Sequence, residues 1–211
     1  MKKVALIGSG EFAQQIRSIF NGFEDYQIVG YFDDTKEINS IVNGLPILGT
    51  VDDVELLYKN KVFELLFVAA GYSNFEFRER VYEKYANKIG FATIVEPSAY
   101  IGSNVRIGEG VYIGRNCYIA SNSKVGNNVF MHAGTTIGHD NMIGDHTYIS
   151  GRFDTCGRVI IGKRCFIGVR CLISDHVTVS DDVWIGIGSM VLKDILQPGK
   201  YMTVSRLMKL E

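Results

Sequence analysis

The chain has 211 residues, 46% hydrophobic and 21% charged, a composition that excludes general disorder and suffices for one compact core or two small ones. With 22 Lys and Arg against 23 Asp and Glu the net charge is −1, so no overall positive field exists to hold nucleic acid or anionic lipid, and neither partner is expected. The opening MKKVALIGSG loses its apolar run at Gly8, no stretch is long enough to span a bilayer, and four cysteines without a CxxC pair suggest neither a disulfide framework nor a zinc ribbon. A cytoplasmic protein with reduced thiols is expected.

Up to about residue 90 short apolar runs alternate with helical patterns. Lys3 to Ile7, Gln27 to Phe32 and Phe63 to Ala70 read as strands. Phe12 to Phe20, Val51 to Tyr58 and Phe75 to Tyr85 read as helices. Thr50 with Asp53, and Ser73 with Glu76, are capping-box pairs. Strand followed by helix, repeated, predicts a small parallel α/β sheet.

The period changes near Gly90 to Glu96, which sets the expected domains at 1–92 and 93–211. From Val95 every sixth residue to Val191 is aliphatic with two exceptions, Met131 and Thr155, and fifteen of the seventeen are Ile or Val. The following position is Gly nine times in seventeen, and four residues after each aliphatic stands a mostly small residue such as Val111, Cys117, Ser123, Thr135, Thr147, Cys165 or Cys171. Short strands joined by tight corners and stacked as a parallel β-helix have this signature, with three hexads to a coil of eighteen residues. Cys117, Cys165 and Cys171 then fill inward slots, while Cys156 lies outside them.

Gly8-Ser9-Gly10 follows the first strand and opens the first helix, so backbone N–H groups there can face a phosphate or ribose. Asp33 and Asp34 end the second strand; Gly71, Tyr72, Ser73 and Asn74 end the third, on the sheet edge where open α/β sheets bind ligands. The same Gly pattern with an acidic residue about twenty positions on is also the dinucleotide fingerprint, which keeps a nicotinamide enzyme as an alternative, although ninety residues are short for two βαβαβ halves. His132, His139 and His146 are seven apart on a repeat of six, so they fall on successive faces and cannot converge on one ion within a subunit. No metal is expected, and a zinc site between subunits, as in hexapeptide-repeat carbonic anhydrases, is the remaining metal reading.

The hexads resemble those of the hexapeptide-repeat acyltransferases, whose β-helix is left-handed. With VALIGSGEFA at 4–13 and GYFDD at 30–34, the whole chain resembles bacterial nucleotide-sugar acetyltransferases related to the sialic acid O-acetyltransferase and the bacillosamine-pathway N-acetyltransferase. The resemblance implies an N-terminal domain that binds a nucleotide-linked amino sugar and a homotrimer with acetyl-CoA between neighbouring β-helices. His139 would be the general base and Asp140 the residue that orients it. Gly157, one coil further, would offer its N–H to the thioester oxygen. Tyr148 and Arg158 would meet acetyl-CoA; Gly8, Ser9, Gly10, Asp33, Asp34, Gly71, Asn74 and His132 would meet the sugar nucleotide. Arg78 matches a family Arg that is either functional or structural. The chain departs from the family pattern at His132 (commonly Asn), Tyr148 (commonly His), Glu96 (commonly His), Arg152 and Arg158 in SGRFDTCGR, and the closing TVSRLMKLE. N-acetyl transfer for a surface glycan is expected, with sugar O-acetylation and a non-catalytic β-helix as alternatives.

Overall fold

The computed structural model describes residues 1–204; most of the unusual tail, 205–211, lies outside them. The chain divides into two compact units, Met1–Ile94 with Gly108–Val111, and Val95–Ile107 with the residues from Tyr112 onward.

In the first unit strand β1 (Lys2–Ile7) lies between β2 (Tyr26–Phe32) and β5 (Leu65–Val68), parallel to both. Helix α1 (Glu11–Phe20) follows β1, α2 (Val54–Lys59) precedes β5, and α3 (Phe75–Tyr85) follows β5. The inner ends of β1 and β5 carry continuous buried apolar residues, as a sheet covered on both faces requires. Thr50 and Asp53 form the expected capping box, but they open a 3-10 turn at Val51–Asp53 before α2 begins. The cap of α3 is Asn74 rather than Ser73: its side chain accepts from the Phe77 N–H at 3.3 Å. The strand expected over Phe63 to Ala70 shortens to β5. An unanticipated hairpin, β3 (Ile41–Val42) and β4 (Leu45–Gly49), turns at Asn43-Gly44, both with positive φ, and lays β4 parallel to β2. Asn-Gly is the sequence signal for that turn.

The second unit is a left-handed parallel β-helix of three sheets. Its strands pair at an offset of eighteen residues, for example Tyr118 with Tyr100 and with Thr136, until the last coil, where Val183–Ile185 pair with Gly199–Tyr201 at an offset of sixteen. Ile113, Ile119, Met131, Ile137, Ile149, Ile167, Ile173 and Ile185 are fully buried, and so are Ser123, Thr135, Asn141 and Thr147 in the small slots. Cys117, Cys165 and Cys171 are buried and Cys156 is exposed; all four are free. Burial pushes the Cys165 thiol up to about 11, which leaves it protonated near neutrality. Every sixth residue from Asn104 to Gly188 has positive φ, the corners being occupied by Asn, Asp, His, Arg and Gly. Asn and Asp suit that conformation, whereas Arg152, Arg158, Arg164 and Arg170 hold it at a cost the stacked coils impose.

Among the described residues no helix is long and apolar enough to cross a membrane.

Candidate functional site

Two places concentrate chemistry, one in each unit.

In the first unit β1, β2 and β5 end on one sheet edge, around a cavity of about 370 Å³ bordered by Gly8, Asp33, Asp34, Asn74, Phe77 and Arg80 among others. Gly8 turns the chain there at φ 96, and a Cβ on it would lie 3.4 Å from the Ala69 carbonyl. Asp33 builds the rim. One oxygen accepts the Ser9 N–H at 2.9 Å and its hydroxyl at 2.5 Å; the other accepts the Thr35 N–H at 2.9 Å and its hydroxyl at 2.7 Å. Burial raises the Asp33 carboxyl, but those hydrogen bonds outweigh it and hold the group below the ordinary carboxylate range. Asp34 accepts the Val51 N–H at 2.7 Å. Both aspartates therefore order the loops around the cavity. Gly10 is the N-cap of α1 and makes no side-chain cap hydrogen bond, so no side chain at the cap covers the helix N-terminus beside Gly8.

Arg78 is fully buried and donates to the Ala70 carbonyl at 3.3 Å, so it braces the loop from the inside. Phe77 and Arg80 were not singled out from the sequence. Asn74, Phe77 and Arg80 recur at helical spacing, which puts them on one face of α3, and the Arg80 guanidinium lies 5.6 Å from the Phe77 ring centroid.

In the second unit His139 and Asp140 stand at one corner. His139 Nδ1 meets Asp140 Oδ2 at 2.7 Å, and both are about half exposed. Hydrogen bonding to His139, and then to Asn122, holds the Asp140 carboxyl below its ordinary range. Asn122 Oδ1 in turn accepts from Asn104 Nδ2 at 3.2 Å, so three corner residues spaced by eighteen form a polar column ending on the Asp–His pair. Its signal was present in the sequence as Asn104, Asn122 and Asp140.

Gly157 follows one coil later, and a Cβ there would fall 2.5 Å from His139 Nε2. Only glycine lets the imidazole lie over the backbone at that point. With Nδ1 turned to Asp140, Nε2 is the nitrogen presented over Gly157. Arg158 is exposed beside it, where its charge helps lower Asp140.

His132 and Tyr148 occupy a different corner and border a cavity of about 410 Å³ with Gly151 and Arg152. Their rings lie 5.0 Å apart, and Tyr148 stacks between Phe130 and Phe166 at 6.0 and 5.9 Å. Within one chain the structure therefore brings together His139, Asp140, Gly157 and Arg158, and separately His132 with Tyr148. His146 is buried, its ring 3.0 Å from the Asn128 amide, a structural role at a third corner. Glu96 is buried and pairs with Arg115 at 3.4 Å. Among the described residues no group of three His, Cys, Asp or Glu could hold a metal ion.

Known proteins resemble both halves. Residues 3–85 match the family described as PglD N-terminal domain, and residues 77–207 match the family described as GMPPB C-terminal domain. Perosamine N-acetyltransferase from Caulobacter crescentus, solved as a mutant with CoA and GDP-perosamine, is 23% identical, with 100% of this chain and 98% of that chain covered at a TM-score of 0.88. The acetyltransferase domain of PglB from Neisseria gonorrhoeae, in complex with acetyl coenzyme A, is 23% identical over 96% of each chain at 0.81. WeeI from Acinetobacter baumannii is 18% identical over 96% of this chain and 97% of its own, at 0.79. None of the curated protein sequences matches significantly.

Proposed function

The chain belongs to the hexapeptide-repeat family described as GMPPB C-terminal domain, preceded by a PglD N-terminal domain, and from that premise we propose that it is an acetyl-CoA-dependent N-acetyltransferase acting on a nucleotide-linked amino sugar. The observation that carries the reading is His139, tied to Asp140 through Nδ1 and laid with Nε2 over Gly157. The complexes of the perosamine enzyme with CoA and GDP-perosamine, and of the PglB domain with acetyl coenzyme A, support it.

The sugar amine attacks the thioester carbonyl carbon as Nε2 of His139 takes its proton. Asp140 holds the tautomer with Nδ1–H and balances the imidazolium. The Gly157 N–H donates to the oxyanion of the tetrahedral intermediate. Collapse breaks the C–S bond, and the imidazolium returns its proton to the departing sulfur. Arg158 and Tyr148 serve acetyl-CoA. In the domain at 1–92 the cavity bordered by Gly8, Asp33, Asp34 and Asn74, with Ser9, Gly10 and Gly71 in the adjoining loops, takes the nucleotide.

A homotrimer completes the site by setting one subunit's His139 corner against its neighbour's His132 and Tyr148. The face between those two corners carries exposed Tyr100, Tyr118, Leu172 and Met190, apolar surface that a closed three-fold ring would cover. The protein works in the cytoplasm, where sugar nucleotides for surface glycans or lipopolysaccharide are assembled. The test is free thiol release from acetyl-CoA with GDP-, UDP- and dTDP-linked amino sugars and a sugar-free control. Release with one sugar, accompanied by an N-acetyl product, supports the reading; CoA binding with release from none, or no CoA binding, overturns it.

A further inference from the structure

The β-helix departs from its own repeat at two neighbouring inward positions. Thr155 is the one polar residue in a six-residue series that otherwise holds Ile, Val or Met, and Asn141 is an amide in a slot that elsewhere holds Ala, Val, Cys, Ser, Thr, Phe or Ile. Asn141 is fully buried and Thr155 nearly so. They meet: Asn141 Nδ2 donates to Thr155 Oγ1 at 2.5 Å and to the Cys156 carbonyl at 3.1 Å, while its Oδ1 accepts the Val159 N–H at 2.7 Å. Thr155 Oγ1 also accepts the Gly138 N–H at 2.9 Å. The amide is thus fixed in one orientation, and it grips the corner 156–159 on both sides of Gly157.

A trans peptide points its C=O and N–H in opposite directions, and the described residues contain no cis peptide bond. Drawing the Cys156 carbonyl inward onto Asn141 therefore turns the Gly157 N–H outward, beside His139 Nε2. We propose that Asn141 is a positioning residue for acyl transfer, clamping the Cys156–Gly157 peptide from within the core so that its N–H is preset toward the developing oxyanion. This rests on the proposed acyl transfer and deepens it. Other coils show what a lesser version looks like: Thr147 Oγ1 donates to the Gly162 carbonyl at 2.9 Å and accepts the Cys165 N–H at 3.1 Å. A Thr in the slot can thus supply both kinds of contact, and a Val, as at Val129 and Val159, neither.

The experiment compares Asn141→Val with Asn141→Thr in the full chain. We expect Asn141→Val to lower kcat about ten- to a hundredfold with the KM for sugar nucleotide unchanged. Asn141→Thr should stay within about threefold of the parent, its hydroxyl replacing both contacts. Without substrate, glycine-selective ¹⁵N spectra, with the Gly157 signal identified by its loss in Gly157→Ala, should show that amide shifted in the Val variant and restored in the Thr variant. Should Asn141→Val fail to fold, Thr155→Val removes one of the amide's partners and should move the same signal. Unchanged kcat and unchanged Gly157 signal in the Val variant would overturn the proposal, as would a Thr variant as impaired as the Val variant. Because the amide signal is read without turnover, a shifted signal in a protein that acetylates no sugar would refute the proposed activity and leave the clamp standing.

Discussion

His139 Nε2 lies so close over Gly157 that a single added methyl carbon at residue 157 would stand 2.5 Å from it. The contact joins consecutive coils of the β-helix and lays an imidazole against the backbone of the next coil.

Gly157→Ala should therefore lower kcat by at least about a hundredfold, by displacing the imidazole and the amide together. The glycine is half-buried at a corner, so the thermal midpoint should move little. Thiol release alongside calorimetry checks both; a variant of near-normal kcat would remove the Gly157 assignment.

His139→Ala should cost about two to four powers of ten in turnover, the usual contribution of a general base. Asp140→Asn should cost less, roughly tenfold to a hundredfold in kcat, because the imidazole loses the carboxylate that fixes its Nδ1–H tautomer at 2.7 Å. A variant with the parent's kcat in thiol release would show that Asp140 does not orient His139.

Asn122→Gly retains the left-handed corner, where Asn122 has φ 64, and deletes the amide behind Asp140. Turnover should fall roughly threefold to tenfold, since Asp140 then has a wider range of orientations. Both KM values should hold, and a steady-state comparison of kcat and KM decides the matter.

On α3, Arg80 and Arg78 should separate cleanly. Arg80→Ala should weaken nucleotide binding, read by titration calorimetry with GDP, UDP and dTDP, while sparing stability. Arg78→Ala should lower the thermal midpoint, because it leaves the Ala70 carbonyl unsatisfied and a void in the core.

Asp33 predicts a pH dependence of folding. Its carboxyl sits below the ordinary range in the folded chain, so the unfolded chain binds the proton more readily. The stability Asp33 contributes is then present above the unfolded value of about 3.8 and is lost as pH falls through the lower folded value. Asp33→Asn should lower the thermal midpoint at pH 7, and the gap from the parent should close as the pH is taken below 4. An equal gap at both pH values would contradict this.

The hexad repeat determined the β-helix from the sequence alone. An inward Ile or Val every sixth residue, three hexads to a coil, buries that surface as stacked short strands and puts Gly157 one coil from His139, eighteen residues on. The alternation of strands and helices likewise determined the α/β sheet and the edge where β1, β2 and β5 end. Tertiary structure decided what each polar residue does there. Asp33 faces four hydrogen-bond donors of its own loops, Arg78 turns into the core while Arg80 turns out, and Asn141 reaches across a coil to a carbonyl fifteen residues on. Burial and hydrogen-bond partners are set by residues distant in the chain, and a local pattern, whose information is periodicity, carries neither.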